Sequence, residues 1–129
     1  MNWTNEEQSR YLVELGLDTN TADMCLVKNP ADEFRPVCGT VKYVTDLREQ
    51  TGYKAEIIPC WSVGALLEVM PFTILDNKYH FMLGRGAIKD WAIGYVTLKE
   101  EYFTLEDNNL VEAAYNMIVW LLENNYIKH

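Results

Sequence analysis

Between Ser62 and Pro71 the apolar positions Val63, Leu66, Leu67 and Met70 fall at i, i+3, i+4 and i+7, the spacing of one helical face. Ser62 stands where an N-cap is wanted, with its hydroxyl placed to accept from the amide of Ala65 or a neighbour. Pro71 cannot continue a helix and pushes Met70 toward extended geometry. The stretch PCWSVGALLEVMP, Pro59 to Pro71, therefore reads as a capped core helix that follows an extended AEII segment. The competing reading is an active-site turn carrying Cys60 and Ser62. It lacks a histidine nearby in sequence, although His80 can still approach in space.

After Pro71 the period changes to two. FTIL, Phe72 to Leu75, is followed by a two-residue turn at Asp76-Asn77. KYHFML then places Tyr79, Phe81 and Leu83 on one face and Lys78, His80 and Met82 on the other. A loop from Gly84 to Asp90 leads to WAIGYV, with Trp91, Ile93 and Tyr95 opposite Ala92, Gly94 and Val96. The small residues at 92 and 94 leave room for another element to approach. Short connections between successive strands predict an antiparallel meander.

The two ends read as helices. Thr4 and Glu7 have the spacing of a capping box. A helix from Asn5 to Leu15 then turns Tyr11, Leu12 and Leu15 inward and ends at Gly16, a left-handed cap. Asp18 or Thr19 starts a short turn ending near Met24. At the other end LKEEYFTLED leads to Asn108 or Asn109, either of which caps a helix from about Leu110 to Asn124. Glu112, Asn116, Val119 and Glu123 form one narrow stripe on it, and nearly everything else is apolar. So apolar a helix must be covered on several sides, which predicts a central helix lying on the sheet, with room for a second chain to supply part of the cover.

Residues 28–58 are the least patterned. Pro30, Pro36, Gly39 and Gly52 punctuate them, and VKYVTDLREQ fits a strand from Val41 to Val44 or a helix running into Arg48. The segment is read as a functional loop, an insertion or an irregular stretch. The expected fold is a single α+β domain over residues 1–129. A small three- to four-stranded antiparallel sheet packs against helices, the apolar C-terminal one central.

Composition narrows the function classes. The chain has 129 residues, 49% of them hydrophobic, and a net charge of −8. That charge opposes phosphate backbones and anionic lipid, so direct nucleic-acid binding and membrane association are not expected. It leaves open an acidic decoy for a nucleic-acid-binding enzyme. Cys25, Cys38 and Cys60 are too few and too dispersed for a disulfide framework. MNWTNEEQSR lacks the apolar core of a signal peptide, and no run reaches the ~18 apolar residues of a membrane span. A reducing cytoplasm is the expected setting.

Candidate chemistry is sparse. The three cysteines, His80 and His129 form no closely spaced metal doublet. LEDNNLVE lacks the alternating ligands and central glycine of a calcium loop. Gly84-Arg85-Gly86 matches no phosphate-binding loop, and a strand follows it. Arg85 and Lys89 still make a local basic pair in an acidic chain. Together with His80 they are the candidate contacts for a ligand or a partner's carboxylate. Trp61, Trp91 and Trp120 sit on core-facing elements, where packing explains them. No residue is assigned to catalysis, to a cofactor or to a metal.

W-S-x-x-x-L-L-E-x-M-P (Trp61–Pro71), W-x-I-x-Y (Trp91–Tyr95) and A-x-x-x-x-V-W-L-L-E-N (Ala114–Asn124), with the Asn5–Met24 start, resemble short uncharacterised proteins of bacterial prophages and mobile elements. The resemblance implies a shared fold and a mobile-element setting and carries no catalytic residue. Lys28 to Lys54 departs most from the pattern, and any specific role is expected there. The leading expectation is a non-catalytic accessory protein that binds another protein or itself as a homodimer. The alternatives are the acidic decoy and a small-ligand module or enzyme using His80, Cys60 or Arg85 around one cleft.

Overall fold

The computed structural model describes residues 2–52 and 55–127. Its most apolar element is helix α4, Leu110–Glu123. Asn109 caps it by accepting from the amides of Val111 at 2.9 Å and Glu112 at 3.3 Å. At the far end Asn125 turns left-handed, and the amides of Asn125 and Tyr126 close on the carbonyls of Leu122 and Leu121. Between the caps Val111, Ala113, Ala114, Met117, Ile118, Leu121 and Leu122 are buried. The helix is central, as its composition requires.

It lies on a four-stranded antiparallel sheet of order β4-β5-β6-β7: Thr73–Ile74, Tyr79–Gly84, Trp91–Val96 and Glu101–Asp107. Tyr79, Ile93 and Tyr95 point inward, joined by the half-buried Phe81, Phe103 and Leu105. The Trp120 ring stacks on Phe103 at 4.1 Å. Helix α3, Val63–Val69, packs on α4 and closes this core with Leu66, fully buried. Ser62 accepts from Ala65 N–H at 3.2 Å, and Met70 is extended before Pro71. The β4–β5 turn differs from the two-residue expectation. It spans Leu75 to Lys78, with Leu75, Asp76 and Asn77 all left-handed. The register pairs Ile74 with Tyr79, so four residues are needed to cross.

A second antiparallel sheet, of order β2-β1-β3, joins Phe34–Cys38, Met24–Lys28 and Ile57–Cys60. Helix α1, Glu6–Glu14, packs across β3 on one face, over Leu26, Ile58 and Cys60. Helix α2, Val41–Thr51, covers the other face, where Val44 packs with Cys25 and Val27. Residues 28–58 are therefore largely regular, contrary to the irregular reading. Thr40 caps α2 and the left-handed Gly52 ends it, which decides helix over strand for VKYVTDLREQ. Pro36 is tolerated because β2 is an edge strand.

The N-terminal cap also shifts. Asn5, not Thr4, caps α1, in a reciprocal box with Gln8. Thr4 is drawn into the core instead. Its Oγ1 meets Ser9 Oγ at 2.8 Å and accepts from Trp61 N–H at 3.1 Å. Gly16 is left-handed, as the C-terminal cap of α1 demands, and Leu17 returns its amide to Leu12 O. The inward face of α1 is Gln8, Ser9 and Leu12, with Leu15 half-buried, whereas Tyr11 is exposed.

Removing the Ser62 hydroxyl deletes a cap and a bond to Asp23 Oδ2. Ser62→Ala is expected to lower unfolding free energy by about 1–2 kcal/mol in a urea titration. Ser62→Asn, which restores a capping oxygen, recovers part of the loss.

Candidate functional site

The two faces of the four-stranded sheet are treated differently. The inner face meets α4. On the outer face the register aligns His80, Met82 and Gly84 with Val96, Gly94 and Ala92, and these with Glu101, Thr104 and Glu106. Met82, Ala92 and Val96 belong to none of the apolar clusters, so no helix of the described residues covers them. A shallow groove of about 630 Å³ runs over this face, floored by Met82, Ala92, Val96 and Thr104 and edged by Lys99, Glu100 and Glu101. Gly94 makes the floor narrow. A Cβ there would lie 2.6 Å from Thr104 Oγ1 and 2.7 Å from Phe103 O. The element that approaches this glycine is thus the neighbouring strand. Thr104 Oγ1 is buried and lacks a hydrogen-bond partner among the described residues.

The loop from Gly84 to Asp90 is organised by Glu106 on β7. The carboxylate accepts from the amides of Ile88 at 3.0 Å and Lys89 at 3.3 Å. The Ile88 amide is the main cause holding the Glu106 carboxyl below its usual range, followed by those of Lys89 and Ala87, with the Lys89 charge helping. The loop's amides are thus engaged by a carboxylate of the chain itself. Asn108 Oδ1 accepts from the Asp90 amide at 3.1 Å and fixes the loop's far end. Ile88 is left 89% exposed at the tip, and Leu98, in the β6–β7 turn at the opposite end of the sheet, is fully exposed.

The three candidate contacts do not converge. Arg85 lies over the Trp91 ring at 5.2 Å. Lys89 serves the Glu106 nest. His80 is exposed and pairs with Val96, about five residues along β5 from Arg85, or ~16 Å of strand rise. Cys60 is fully buried, donates to Thr4 O at 3.3 Å and has its thiol pushed up by burial. It shares no cleft with His80 or Arg85. Cys25 is also buried, its thiol raised to about 11 by burial first and by Cys60 second. Cys38 is exposed on β2. Among the described residues no group of three or more His, Cys, Asp or Glu side chains is arranged to hold a metal. His129 lies outside the described residues.

No helix among the described residues is long and apolar enough to cross a membrane. No family model matches the chain, and neither a curated protein nor a solved structure is significantly similar to it.

Two measurements check this geometry. Because the folded Glu106 carboxyl titrates below its unfolded value near ~4.3, the loop contact is complete above that pH and is lost as pH falls through the folded value. The amide proton shifts of Ile88 and Lys89 are expected to titrate together below the ordinary glutamate range and to stop doing so in Glu106→Gln. A disulfide-exchange reagent at pH 8 is expected to label Cys38 rapidly and Cys25 and Cys60 only after denaturation, and Cys38→Ser removes the fast phase.

Proposed function

We propose that the protein is a non-catalytic interaction module that grips a basic protein partner over the outer face of its four-stranded sheet. The observation that carries this reading is the face itself: Met82, Ala92 and Val96 form an apolar floor that no helix of the described residues covers. Three glutamates, Glu100, Glu101 and Glu106, stand around that floor against one lysine, Lys99. With a net charge of −8 they favour a cationic surface and speed its approach. Two of the three cysteines, Cys25 and Cys60, are buried and held as thiols, which speaks for binding over chemistry at those positions. The acidic-decoy reading is less favoured, because Glu6, Asp32, Glu33 and Glu56 are already paired with Arg10, Lys28 and Arg35. A cytoplasmic, mobile-element setting is part of the same proposal; the mobile-element part rests on the resemblance alone, the cytoplasmic part on the dispersed cysteines and the absence of a signal-like apolar run.

Affinity capture from a candidate host, read by mass spectrometry, tests it with three baits. Wild type and Tyr43→Ala, altered on the distant exposed face of α2, are expected to retain the same basic protein. Met82→Lys is expected to lose at least tenfold of it, and added salt to weaken the capture. Equal retention by Met82→Lys, with its melting midpoint unchanged, overturns the proposal. Recovery of the chain's own copies alone would replace the basic partner by a homodimer.

A further inference from the structure

The two sheets end in four edge strands, and three of them are poorly suited to take a further strand. β2 carries Pro36 and β3 carries Pro59, and a proline has no amide to donate to a new neighbour. β4 is two residues long and offers almost no ladder. β7, Glu101–Asp107, is different. It has seven residues, none a proline, and is the longest strand described. Among the described residues its main chain bonds to β6 and makes no other main-chain hydrogen bond. An antiparallel strand turns only part of its N–H and C=O groups to one neighbour, so the rest of those on β7 point away from the sheet. A register shift at Tyr95 and Val96 disturbs the Glu101 end, but Phe103 to Asp107 pair in unbroken order.

What guards that stretch is charge. β7 carries Glu101, Glu106 and Asp107 and no lysine or arginine. A second β7 laid antiparallel about Thr104 would set Glu101 against Asp107, and a parallel one would set each acid against itself, so copies of this chain repel along the edge. A basic strand meets the opposite condition. Glu101 is exposed. Glu106 and Asp107 accept from the amides of Ile88, Lys89 and Asn109, which are neutral donors and do not cancel a carboxylate's charge.

We infer that β7 takes an extended, basic segment of a partner protein as the fifth strand of its sheet, held by main-chain hydrogen bonds and by lysine or arginine side chains beside the acids of β7. This rests on the reading of a basic partner and names how that partner is held. Thr104 and Glu106 of β7 line the groove over Met82, Ala92 and Val96, so an added strand prolongs the same face. On the other side the half-buried Phe103 and Leu105 offer an apolar margin to the strand's alternate side chains. The main-chain bonds supply affinity for any extended segment, and the acids select among them.

The test is amide NMR with hydrogen exchange on the full chain and three nine-residue peptides. One alternates lysine and valine, one has glutamate in place of lysine, and one is the lysine peptide with a methyl on every amide nitrogen. The lysine peptide is expected to bind saturably, to shift and protect amides within Glu101–Asp107, and to weaken as salt is added. The N-methylated peptide keeps the charge but lacks the donors, and is expected to bind about tenfold more weakly. The glutamate peptide is expected not to bind. Glu101→Lys, at an exposed position, is expected to keep the fold and weaken the lysine peptide about fivefold. Met82→Ser, which spoils the apolar floor without adding charge, is expected to keep the β7 shifts, so failure of the floor and failure of the edge give different results. The inference is overturned if the N-methylated peptide binds as its parent does, or if no peptide binds at low salt. It is also overturned if the free chain protects β7 with rising concentration, which would make a second copy the occupant. Shifts confined to Met82, Ala92 and Val96 overturn it too, while leaving the sheet-face reading standing.

Discussion

Trp61 fixes the relation between the two sheets. It leaves β3 and enters α3, is fully buried, and must therefore satisfy three polar groups out of reach of water. Its indole N–H donates to Thr21 Oγ1 at 2.9 Å, its amide to Thr4 Oγ1, and its carbonyl accepts from Thr4 N–H at 2.9 Å. Thr4 in turn is held by Ser9 of α1. One buried residue thus ties Thr4, the first helix and the 3₁₀ turn Thr19–Thr21 to the point where the chain passes from one sheet to the other. An unsatisfied group in that cluster would cost about 1–3 kcal/mol, and every member named has a partner.

Because that junction is rigid, each sheet keeps its own covering. The three-stranded sheet is enclosed by α1 and α2, with a gap beside α2 where Val27 and Val37 meet Arg35 and Arg48. The four-stranded sheet spends its cover on one side, where α4 consumes Tyr79, Ile93, Tyr95 and Phe103. Its other side keeps an apolar floor bordered by charge. Glutamates border the sheet face, whereas the cations beside the three-stranded sheet, Lys28 and Arg35, are matched by Asp32, Glu56 and Glu33.

Elements with a local signature were readable in the chain. The Ser62 cap, the Pro71 stop, the alternation through β5 and β6 and the oily circumference of α4 each need only their own neighbours. What escaped depends on distant partners. Met24–Lys28 is a central strand whose Cys25, Leu26 and Val27 are all buried, so it shows no alternation, and its mates lie at 34–38 and 57–60. Glu101–Asp107 carries three charges on an edge and reads as a loop until β6 pairs with it. The basic pair Arg85 and Lys89 marked the Gly84–Asp90 loop, whose amides at Ile88 and Lys89 hold Glu106. Nothing local indicated that Glu106 would be the group held, since the strand bearing that carboxylate was itself not visible.

The contact between Gly94 and Thr104 carries an evolutionary consequence. The threonine hydroxyl and the Phe103 carbonyl oxygen together fill the volume that a methyl on residue 94 would occupy, so glycine is imposed there by main chain as well as side chain. Shrinking residue 104 leaves the carbonyl in place, so a lineage can enlarge residue 94 only by wedging the two strands apart.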